Sequence, residues 1–467
     1  MAEWFKALAW RASKAEMSSR VRIPASPLSI LKLKPLKLVI KNINITFNKM
    51  ITLNKVKTKT KDFRKYRKFL SKSGVSRIRL LTKSLSNRRI IHINATAVGG
   101  GVAEILQSFI PLLKNLGLDI DWYTISAPPS FFEITKQIHN GLQGKKSKLK
   151  KKDLKFYLSV NQKLAEKLRN IKFDLAVIHD PQPLAMIDFW HPSFMISRIH
   201  IDLSTPDKQL LAFFLPYLNK YEKIVFSLKE FIPKKISKDK VVIIPPAIDP
   251  FTIKNQAYSF KKARKILASL GLDPKRPIIA QVSRFDPWKD PIGVIRAYQL
   301  AKKKIPDLQL ILIGLFLAAD DPEAVQIFEQ VKQKAQGDPD IFLFSDPRKL
   351  KGLTNDEAVN AIQSGSDIIL QKSIREGFGL VVTEAMWKGK AVIGGNAAGI
   401  KFQIKDGQNG FIVKSPQETA KRIINLFANS DKLSKIGKKA KESVQRHFLI
   451  TRLIRDHLEL YRQVLGQ

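Results

Sequence analysis

The chain contains 467 residues, carries a formal net charge of +42 at pH 7 and has no cysteine. A chain without cysteine forms no disulfide, uses no thiolate nucleophile and binds no metal through sulfur. The length predicts two or three domains, and an apolar fraction of 44% is enough to give them hydrophobic cores. The longest apolar run is too short to cross a bilayer, so we expect a cytoplasmic protein without a transmembrane segment.

The positive charge is densest near the start of the chain, where the first 80 residues contain 21 Lys and Arg against three Asp and Glu. We expect residues 1–61 to be a basic extension that is either disordered or upstream of the true start of translation, with Met50 as the candidate start. No RNA-recognition, KH, helix-turn-helix or zinc-finger pattern accompanies the charge, so a specific nucleic-acid partner is not expected. A basic nucleic-acid-binding or membrane-associated protein remains an alternative function.

From Asp62 onward the pattern alternates between helices and strands. A basic helical stretch is followed by a predicted strand at 89–94, a glycine-rich turn at 99–101 and a helix to about residue 116. This order predicts the opening unit of a Rossmann-like domain. The turn lacks the G-x-G-x-x-G spacing, so Gly100 and Gly101 alone could serve either a ligand or close packing.

Two further predicted strands end in polar side chains. The apolar run 175–178 is followed by His179 and Asp180, and a short alternating segment contains His200 and Asp202. Because the carboxyl ends of parallel strands line the ligand cleft, we expect these side chains to reach it. The other five histidines are expected to be surface or core residues: His92, His139, His191, His447 and His457.

Three prolines at 245, 246 and 250 mark the predicted start of a second domain. Its first strand, near 278–283, precedes a loop that contains Arg284 and Lys289. Arg offers a bidentate fork to phosphate oxygens and Lys a compact charge, so the two could hold a diphosphate. In so basic a chain they could also be solvated loop cations.

Further along, a predicted strand at 366–371 is followed by a glycine-rich turn and a helix at 380–387. Glu376 and Glu384 flank this turn, eight residues apart. Gly377 and Gly379 would let the backbone approach a ligand, and carboxylates accept hydrogen bonds from hydroxyl groups. The two glutamates could equally be a helix-start charge and a solvated side chain.

The block around Glu376 and Glu384 resembles the two-glutamate signature of retaining glycosyltransferases of family 4. The segments 92–106, 131–144 and 174–183 resemble trehalose glycosyltransferring synthases and the related trehalose phosphorylases, and the likeness covers nearly everything from residue 63. It implies an α/β fold of the GT-B type, with two Rossmann-like domains facing a cleft. The predicted divisions are an N-terminal acceptor domain at 62–246, a nucleotide-sugar domain at 247–445 and a helix at 446–467 that returns to the first domain.

The resemblance also implies roles for individual residues. Glu376 would contact the donor glucose and Glu384 the nucleotide ribose. Asp180 and His200 would hold hydroxyl groups of the transferred glucose. The remaining implied contacts are Arg284 and Lys289 with the diphosphate, Gly100 and Gly101 with the phosphate region, and His179, Asp202, Gly377, Phe378 and Gly379 with substrate. The chain departs from the family pattern just before His200, where Ser197, Arg198 and Ile199 replace an aromatic, an Arg and a Cys.

The function that the resemblance implies is retaining, reversible transfer of glucose from ADP-glucose or UDP-glucose to free glucose, giving α,α-trehalose. The alternative within the family is a retaining trehalose phosphorylase that uses glucose 1-phosphate. No cofactor is expected, and we predict metal independence because the Asp-x-Asp pairs at 119–121 and 338–340 fall in a strand and a turn. The partners expected are the nucleotide sugar, glucose and a second copy of the chain in a homodimer.

Overall fold

The computed structural model describes residues 49–190, 193–315 and 322–466. Most of the basic extension and His191 therefore lie outside the described residues. Among the residues that are described, no helix has both the length and the apolar composition needed to cross a membrane.

The first half is built on a seven-stranded sheet with the strand order β1-β3-β2-β4-β5-β6-β7. Neighbouring strands are parallel except for β1 and β3, which are antiparallel. The strands are β1 (Thr52–Lys55), β2 (Arg89–Asn94), β3 (Asp119–Ser126), β4 (Leu175–His179), β5 (Phe194–Ile199), β6 (Lys223–Phe226) and β7 (Val241–Ile243). The parallel strands β2, β4 and β5 are almost wholly buried, which explains their continuous apolar runs.

Strand β1 differs from the expectation for residues 1–61, because it lies inside the segment predicted to be disordered. It pairs with β3 from Thr52 opposite Ser126 to Lys55 opposite Tyr123. This pairing covers the hydrogen-bonding edge that β3 would otherwise expose. Lys55 also donates to Asp121 on β3 at 2.7 Å, so one lysine of the basic run serves the fold.

Helices cover both faces of this first sheet. They are α1 (Lys72–Ser84), α2 (Gly101–Asn115), α3 (Pro129–Leu142), α4 (Lys151–Leu168) and α5 (Lys208–Leu218). Helix α1 begins at Ser71, whose hydroxyl accepts a hydrogen bond from the amide of Gly74. Helix α5 begins in the same way at Asp207, whose carboxylate accepts from the amides of Gln209 and Leu210.

The second half is built on a six-stranded parallel sheet with the order β10-β9-β8-β11-β12-β13. Its strands are β8 (Ile278–Val282), β9 (Gln309–Ile313), β10 (Ile341–Phe344), β11 (Ile368–Gln371), β12 (Ala391–Gly395) and β13 (Phe411–Val413). Its helices are α6 (Phe260–Ser269), α7 (Pro291–Lys302), α8 (Pro322–Ala335), α9 (Asn355–Gly365), α10 (Leu380–Trp387), α11 (Ala398–Gln403), α12 (Pro416–Phe427) and α13 (Ser430–His447). Separate apolar clusters fill its two faces.

The last helix, α14 (Ile450–Val464), returns to the first half. Its buried apolar side chains recur at helical spacing, and they join the core of the first sheet. Arg452 fixes the crossing, since its Nη2 donates to the carbonyl oxygens of Pro245 and Pro246 at 2.7 and 2.9 Å. The predicted α/β class, with two Rossmann-like units and a returning helix, is confirmed.

Each sheet contains a point at which the chain reverses the order of its strands. In the first sheet β3 and β4 lie on opposite sides of β2, and in the second β9 and β11 lie on opposite sides of β8. Ligands of open α/β sheets bind beyond the carboxyl ends of the strands at these switch points. The loops after β2, β4, β8 and β11 are therefore where a site is expected.

Candidate active site

Glu376 lies in the loop after β11, and two neighbours hold its carboxylate. Lys289 Nζ donates to Glu376 Oε2 at 2.6 Å, and the hydroxyl of Ser373 donates to the same oxygen at 3.1 Å. The side chains of Lys289 and Glu376 are 17% and 13% exposed, so the pair is sheltered but still reachable by a ligand. The structure thus brings together Glu376, which was predicted to contact the donor glucose, and Lys289, which was predicted to contact the diphosphate of the same donor.

Gly379 leaves space for the Glu376 side chain because it has no Cβ. It has a φ of +83° at the start of α10, in the left-handed region that favours glycine. A Cβ at this position would lie 3.0 Å from Glu376 Cγ. Any larger residue would therefore be strained itself and would displace the carboxylate.

Gln281, in β8, ties the loops of Lys289 and Glu376 together. Its amide nitrogen donates to Lys289 O at 2.9 Å, and its amide oxygen accepts from Lys372 N at 2.9 Å. Lys372 Nζ is in turn paired with Asp290, directly after Lys289. These bonds hold the two loops in one arrangement. No local sequence pattern indicates these bonds, because Gln281 and Lys372 are 91 residues apart.

Arg284 and Lys289, the predicted diphosphate cations, both lie near the carboxyl group of Asp286. The Arg284 side chain is 73% exposed, and its Nη2 donates to Asp286 Oδ2 at 3.3 Å. Burial raises the pKa of Asp286, while the charges of Lys289 and Arg284 oppose that rise. Asp286 Oδ1 is buried without a hydrogen-bond partner among the described residues. Sequence reasoning assigned Asp286 no role.

Across the cleft, Asp180 lies at the end of β4 with a φ of +60°, a conformation that is uncommon outside glycine. Its Oδ1 accepts a hydrogen bond from the backbone amide of His200 at 2.8 Å. Burial raises the pKa of Asp180 to about 7, and the His200 amide and the Arg198 charge only partly offset this effect. This hydrogen bond joins Asp180 to His200, and both residues were predicted to hold hydroxyl groups of glucose.

His200 approaches the second half closely. A Cβ on Gly377 would lie 3.3 Å from the carbonyl oxygen of His200. Gly377 directly follows Glu376, so the backbone of His200 in the first half lies close to the Glu376 loop of the second half. Glycine at this position permits that approach.

Behind His200, side chains form a hydrogen-bonded row. His179 Nδ1 lies 2.9 Å from His200 Nε2, and His179 Nε2 lies 2.8 Å from His92 Nδ1. His92 Nε2 in turn lies 2.9 Å from the hydroxyl of Tyr461 on α14. Burial lowers the pKa of all three histidines well below the usual value, and the charge of Arg198 adds to this effect at His179 and His200. His179 therefore reaches the cleft only through His200, and His92 is the satisfied core residue that was expected.

The glycine-rich turn after β2 also lies at the cleft. Gly100 has a φ of +79° and precedes the first residue of α2, Gly101. A Cβ on Gly101 would lie 3.0 Å from Leu380 Cδ1 at the start of α10. The predicted phosphate-region glycines thus face the helix that follows the Glu376 loop.

Glu384 is 1% exposed and is held by buried neighbours. Lys254 Nζ lies 3.5 Å from Glu384 Oε1 and 2.7 Å from Glu104 Oε2, so it links α10 to α2. Burial alone would lower the pKa of Lys254, but the charges of Glu384 and Glu104 raise it overall. Burial lowers the pKa of nearby Lys388 to about 8. Sequence reasoning missed Lys254, Glu104 and Lys388 as neighbours of Glu384.

Two predicted substrate residues have other partners. Asp202 Oδ2 lies 3.4 Å from Nη2 of Arg375, and the same nitrogen donates to Thr205 Oγ1 at 2.9 Å. Phe378 is buried among apolar side chains, with its ring centroid 5.7 Å from that of Phe448. The predicted contact of Phe378 with substrate therefore does not fit its side chain, which fills the core instead.

The Asp-x-Asp pairs are engaged in ion pairs. Asp121 accepts from Lys55, Arg89 and Lys114. Lys302 donates to both Asp338 and Asp340 at 2.8 Å. Over residues 49–190, 193–315 and 322–466 no group of three or more His, Asp or Glu side chains is arranged to hold a metal ion.

Comparison with known proteins defines the class. The sequence model described as "Glycosyl transferases group 1" matches residues 262–443, which include Lys289 and Glu376. Sucrose-phosphate synthase of Thermosynechococcus elongatus has the same fold, with a TM-score of 0.63 and 19% identity over 81% of this chain and 100% of that one. With two Rossmann-like sheets and a polar cleft between their switch points, the protein is a glycosyltransferase of the GT-B fold.

The family follows from the closer sequence matches. The model described as "Trehalose synthase, N-terminal domain" matches residues 92–233. "Trehalose synthase" of Pyrococcus horikoshii is 42% identical over 86% of this chain and 95% of its own length. "Trehalose phosphorylase" of Pleurotus pulmonarius is 26% identical over 75% of this chain and 54% of its own length. The chain belongs to the trehalose synthase family, and its catalysis is trehalose-related glycosyl transfer.

Proposed function

We propose that this enzyme transfers glucose, with retention of configuration, from a nucleoside-diphosphate glucose such as ADP-glucose or UDP-glucose to free glucose, forming α,α-trehalose reversibly. The observation that supports this most strongly is the short approach of His200 to the Glu376 loop at Gly377. A sugar held there would contact hydroxyl-binding groups of the first half and the charged group of the second half at once. The family resemblance supplies the choice of sugars.

The second half would bind the donor. Arg284 and Lys289 would neutralise the diphosphate, whose negative charge grows as it departs. Lys289 would then exchange part of its contact with Glu376 for a contact with the phosphate, and Glu376 would contact the glucose. Glu384 would accept hydrogen bonds from the ribose hydroxyls, for which the side chains that now bury it must make room. The proposal needs no cofactor and no metal ion.

The first half would orient the glucosyl group and the acceptor. Asp180 as a carboxylate and His200 as a neutral imidazole are suited to directional hydrogen bonds with hydroxyl groups. The bond between the glucosyl anomeric carbon and the diphosphate oxygen breaks, and a bond to the anomeric oxygen of the acceptor glucose forms on the same face. The acceptor hydroxyl proton passes to the departing diphosphate oxygen. The protein orients the reactants and stabilises the charges that develop.

A retaining trehalose phosphorylase is the second candidate, and one observation favours it. Lys254 and Gln363 already occupy both oxygens of Glu384, at 3.5 and 3.4 Å, and Glu384 is almost fully buried. Glucose 1-phosphate has no ribose and would need no rearrangement at Glu384. Its single phosphate could still bind at Lys289.

Trehalose synthesis from matched donors separates the two. Purified full-length protein is incubated with ADP-glucose or UDP-glucose plus glucose, and separately with glucose 1-phosphate plus glucose, and trehalose is followed by chromatography. We expect trehalose from a nucleotide sugar only. Trehalose from glucose 1-phosphate only would establish the phosphorylase, and no trehalose from any donor would contradict both candidates.

A further inference from the structure

The row Tyr461, His92, His179 and His200 connects the returning helix to the cleft. Its members come from α14, β2, β4 and the loop after β5, and the bond between His92 and Tyr461 spans 369 residues. Each link is 2.8 to 2.9 Å long. Because each neutral imidazole has one N–H donor and one acceptor nitrogen, the direction of any one link determines the direction of all the others.

Tyr461 fixes that direction. Its side chain is fully buried, and among the described residues its hydroxyl is bonded only to His92 Nε2. If His92 donated to the phenol oxygen, the phenol proton would have no acceptor within the buried part of the chain that is described. A buried O–H without an acceptor is costly, so Tyr461 donates and His92 Nε2 accepts.

The remaining links follow one from another. With Nε2 as an acceptor, neutral His92 carries its proton on Nδ1 and donates to His179 Nε2. His179 then carries its proton on Nδ1 and donates to His200 Nε2. His200 is left with its proton on Nδ1, and that nitrogen has no hydrogen-bond partner among the described residues.

We propose that Tyr461, His92 and His179 are positioning residues that fix the tautomer of His200, so that its Nδ1–H is a permanent donor to an oxygen atom of the bound ligand. That the oxygen belongs to a glucose hydroxyl rests on the proposed function. A neutral donor of fixed direction selects a hydroxyl lone pair, and it would disfavour a sugar that lacks the oxygen at that position. The row also makes the site dependent on α14, since the helix supplies the phenol that starts it.

The wild-type tautomer can be measured without any variant. Full-length protein labelled with ¹⁵N-histidine is examined by long-range ¹H–¹⁵N NMR, and the His200 signals are assigned by their loss in His200→Gln. We expect His200, without ligand, to be protonated on Nδ1 and unprotonated on Nε2. Protonation on Nε2, or a mixture of the two tautomers, would overturn the proposal whether or not the protein makes trehalose.

Tyr461→Phe tests the origin of the direction, with Tyr221→Phe as the matched control. Tyr221 is also fully buried in the first half and donates to Leu184 O at 2.7 Å, outside the row. We expect Tyr461→Phe to give a mixture of His200 tautomers and to lower kcat by about tenfold with little change in KM for the donor, whereas Tyr221→Phe keeps the wild-type tautomer. A His200 tautomer unchanged in Tyr461→Phe, or altered equally in Tyr221→Phe, would overturn the assignment of Tyr461.

Discussion

The two halves of the cleft differ in their electrostatics. The first half presents neutral imidazoles, because burial keeps His92, His179 and His200 uncharged, together with the carboxyl group of Asp180, whose pKa burial raises to about 7. The second half presents ion pairs, in which Lys289 holds Glu376 at 2.6 Å. Groups of fixed direction suit the orientation of hydroxyl groups, and cations suit a diphosphate. Under the proposed function, equivalent positions of the two sheets would serve different parts of one reaction.

The largest expected effect is on the charged half. On the proposed function, Lys289→Ala removes the cation that would stabilise the departing diphosphate, and we expect kcat/KM for the nucleotide sugar to fall by about a thousandfold. The matched control is Lys332→Ala, because Lys332 is an exposed lysine on α8 of the same half that pairs with Glu329. Steady-state kinetics should show near wild-type activity for Lys332→Ala. A Lys289→Ala enzyme with near-normal kcat/KM would contradict the role of this cation.

The next effect concerns stability where the two halves meet. Lys254→Met leaves Glu104 and Glu384 without their shared cation, and we expect it to lower the free energy of unfolding by about 3 kcal/mol. Adding Glu104→Gln removes one of the two carboxylate charges and should recover part of that loss, with a coupling of about 1–2 kcal/mol. Urea unfolding of both single variants and the double variant measures the coupling. Strictly additive losses would show that Lys254 and Glu104 do not interact.

The third effect is a pH dependence of activity, which we expect from Asp180 in the first half. The pKa of Asp180 is raised to about 7, so its carboxylate is lost as the pH falls through that value. Because the carboxylate would accept a hydrogen bond from a sugar hydroxyl under the proposed function, we expect kcat/KM to decline below pH 7, approaching tenfold per unit of pH. Asp180→Asn should be less active and should lack this decline. A wild-type profile that stays flat between pH 5 and 8 would contradict the role of the Asp180 carboxylate.

The smallest effect is expected from two glycine substitutions, which separate the cost of backbone strain from the displacement of Glu376. Gly379 and Gly352 have φ values of +83° and +86°, but only a Cβ on Gly379 would approach Glu376. Replacing either residue by Ala should lower the free energy of unfolding by about 1 kcal/mol, because both substitutions place a Cβ in the left-handed region. Only Gly379→Ala should also lower kcat. Equal kcat values for the two variants would mean that Gly379 serves the turn alone.

Much of the fold could be predicted from the sequence, because buried parallel strands are continuous apolar runs. The strands near 89–94, 175–178 and 278–283 were predicted from such patterns and are present. The hydrogen bond between the His200 amide and Asp180 was not predicted, because the family resemblance implied only that both residues hold hydroxyl groups of glucose. Strand β1 was missed because its lysine-rich sequence lacks an apolar run, and only the exposed edge of β3 gives it a partner.

The partners within the site could not be predicted, because they depend on contacts between distant segments. Lys254 lies 150 residues from Glu104, and nothing near either residue indicates the other. Phe378 lies within the glycine-rich turn, yet its side chain points into the core where Phe448 packs. Local pattern shows which loops end at the cleft, whereas the packing of the sheets decides which side chains meet there.

The division of labour between the halves can be tested by calorimetric titration of ADP and UDP into the wild type, Lys289→Ala and Asp180→Asn. We expect Lys289→Ala to weaken binding of the preferred nucleotide by at least about tenfold, because one charge-assisted contact to phosphate is lost. Asp180→Asn should bind that nucleotide as the wild type does. Unchanged binding to Lys289→Ala, or equal loss in Asp180→Asn, would contradict the assignment of the diphosphate to the charged half.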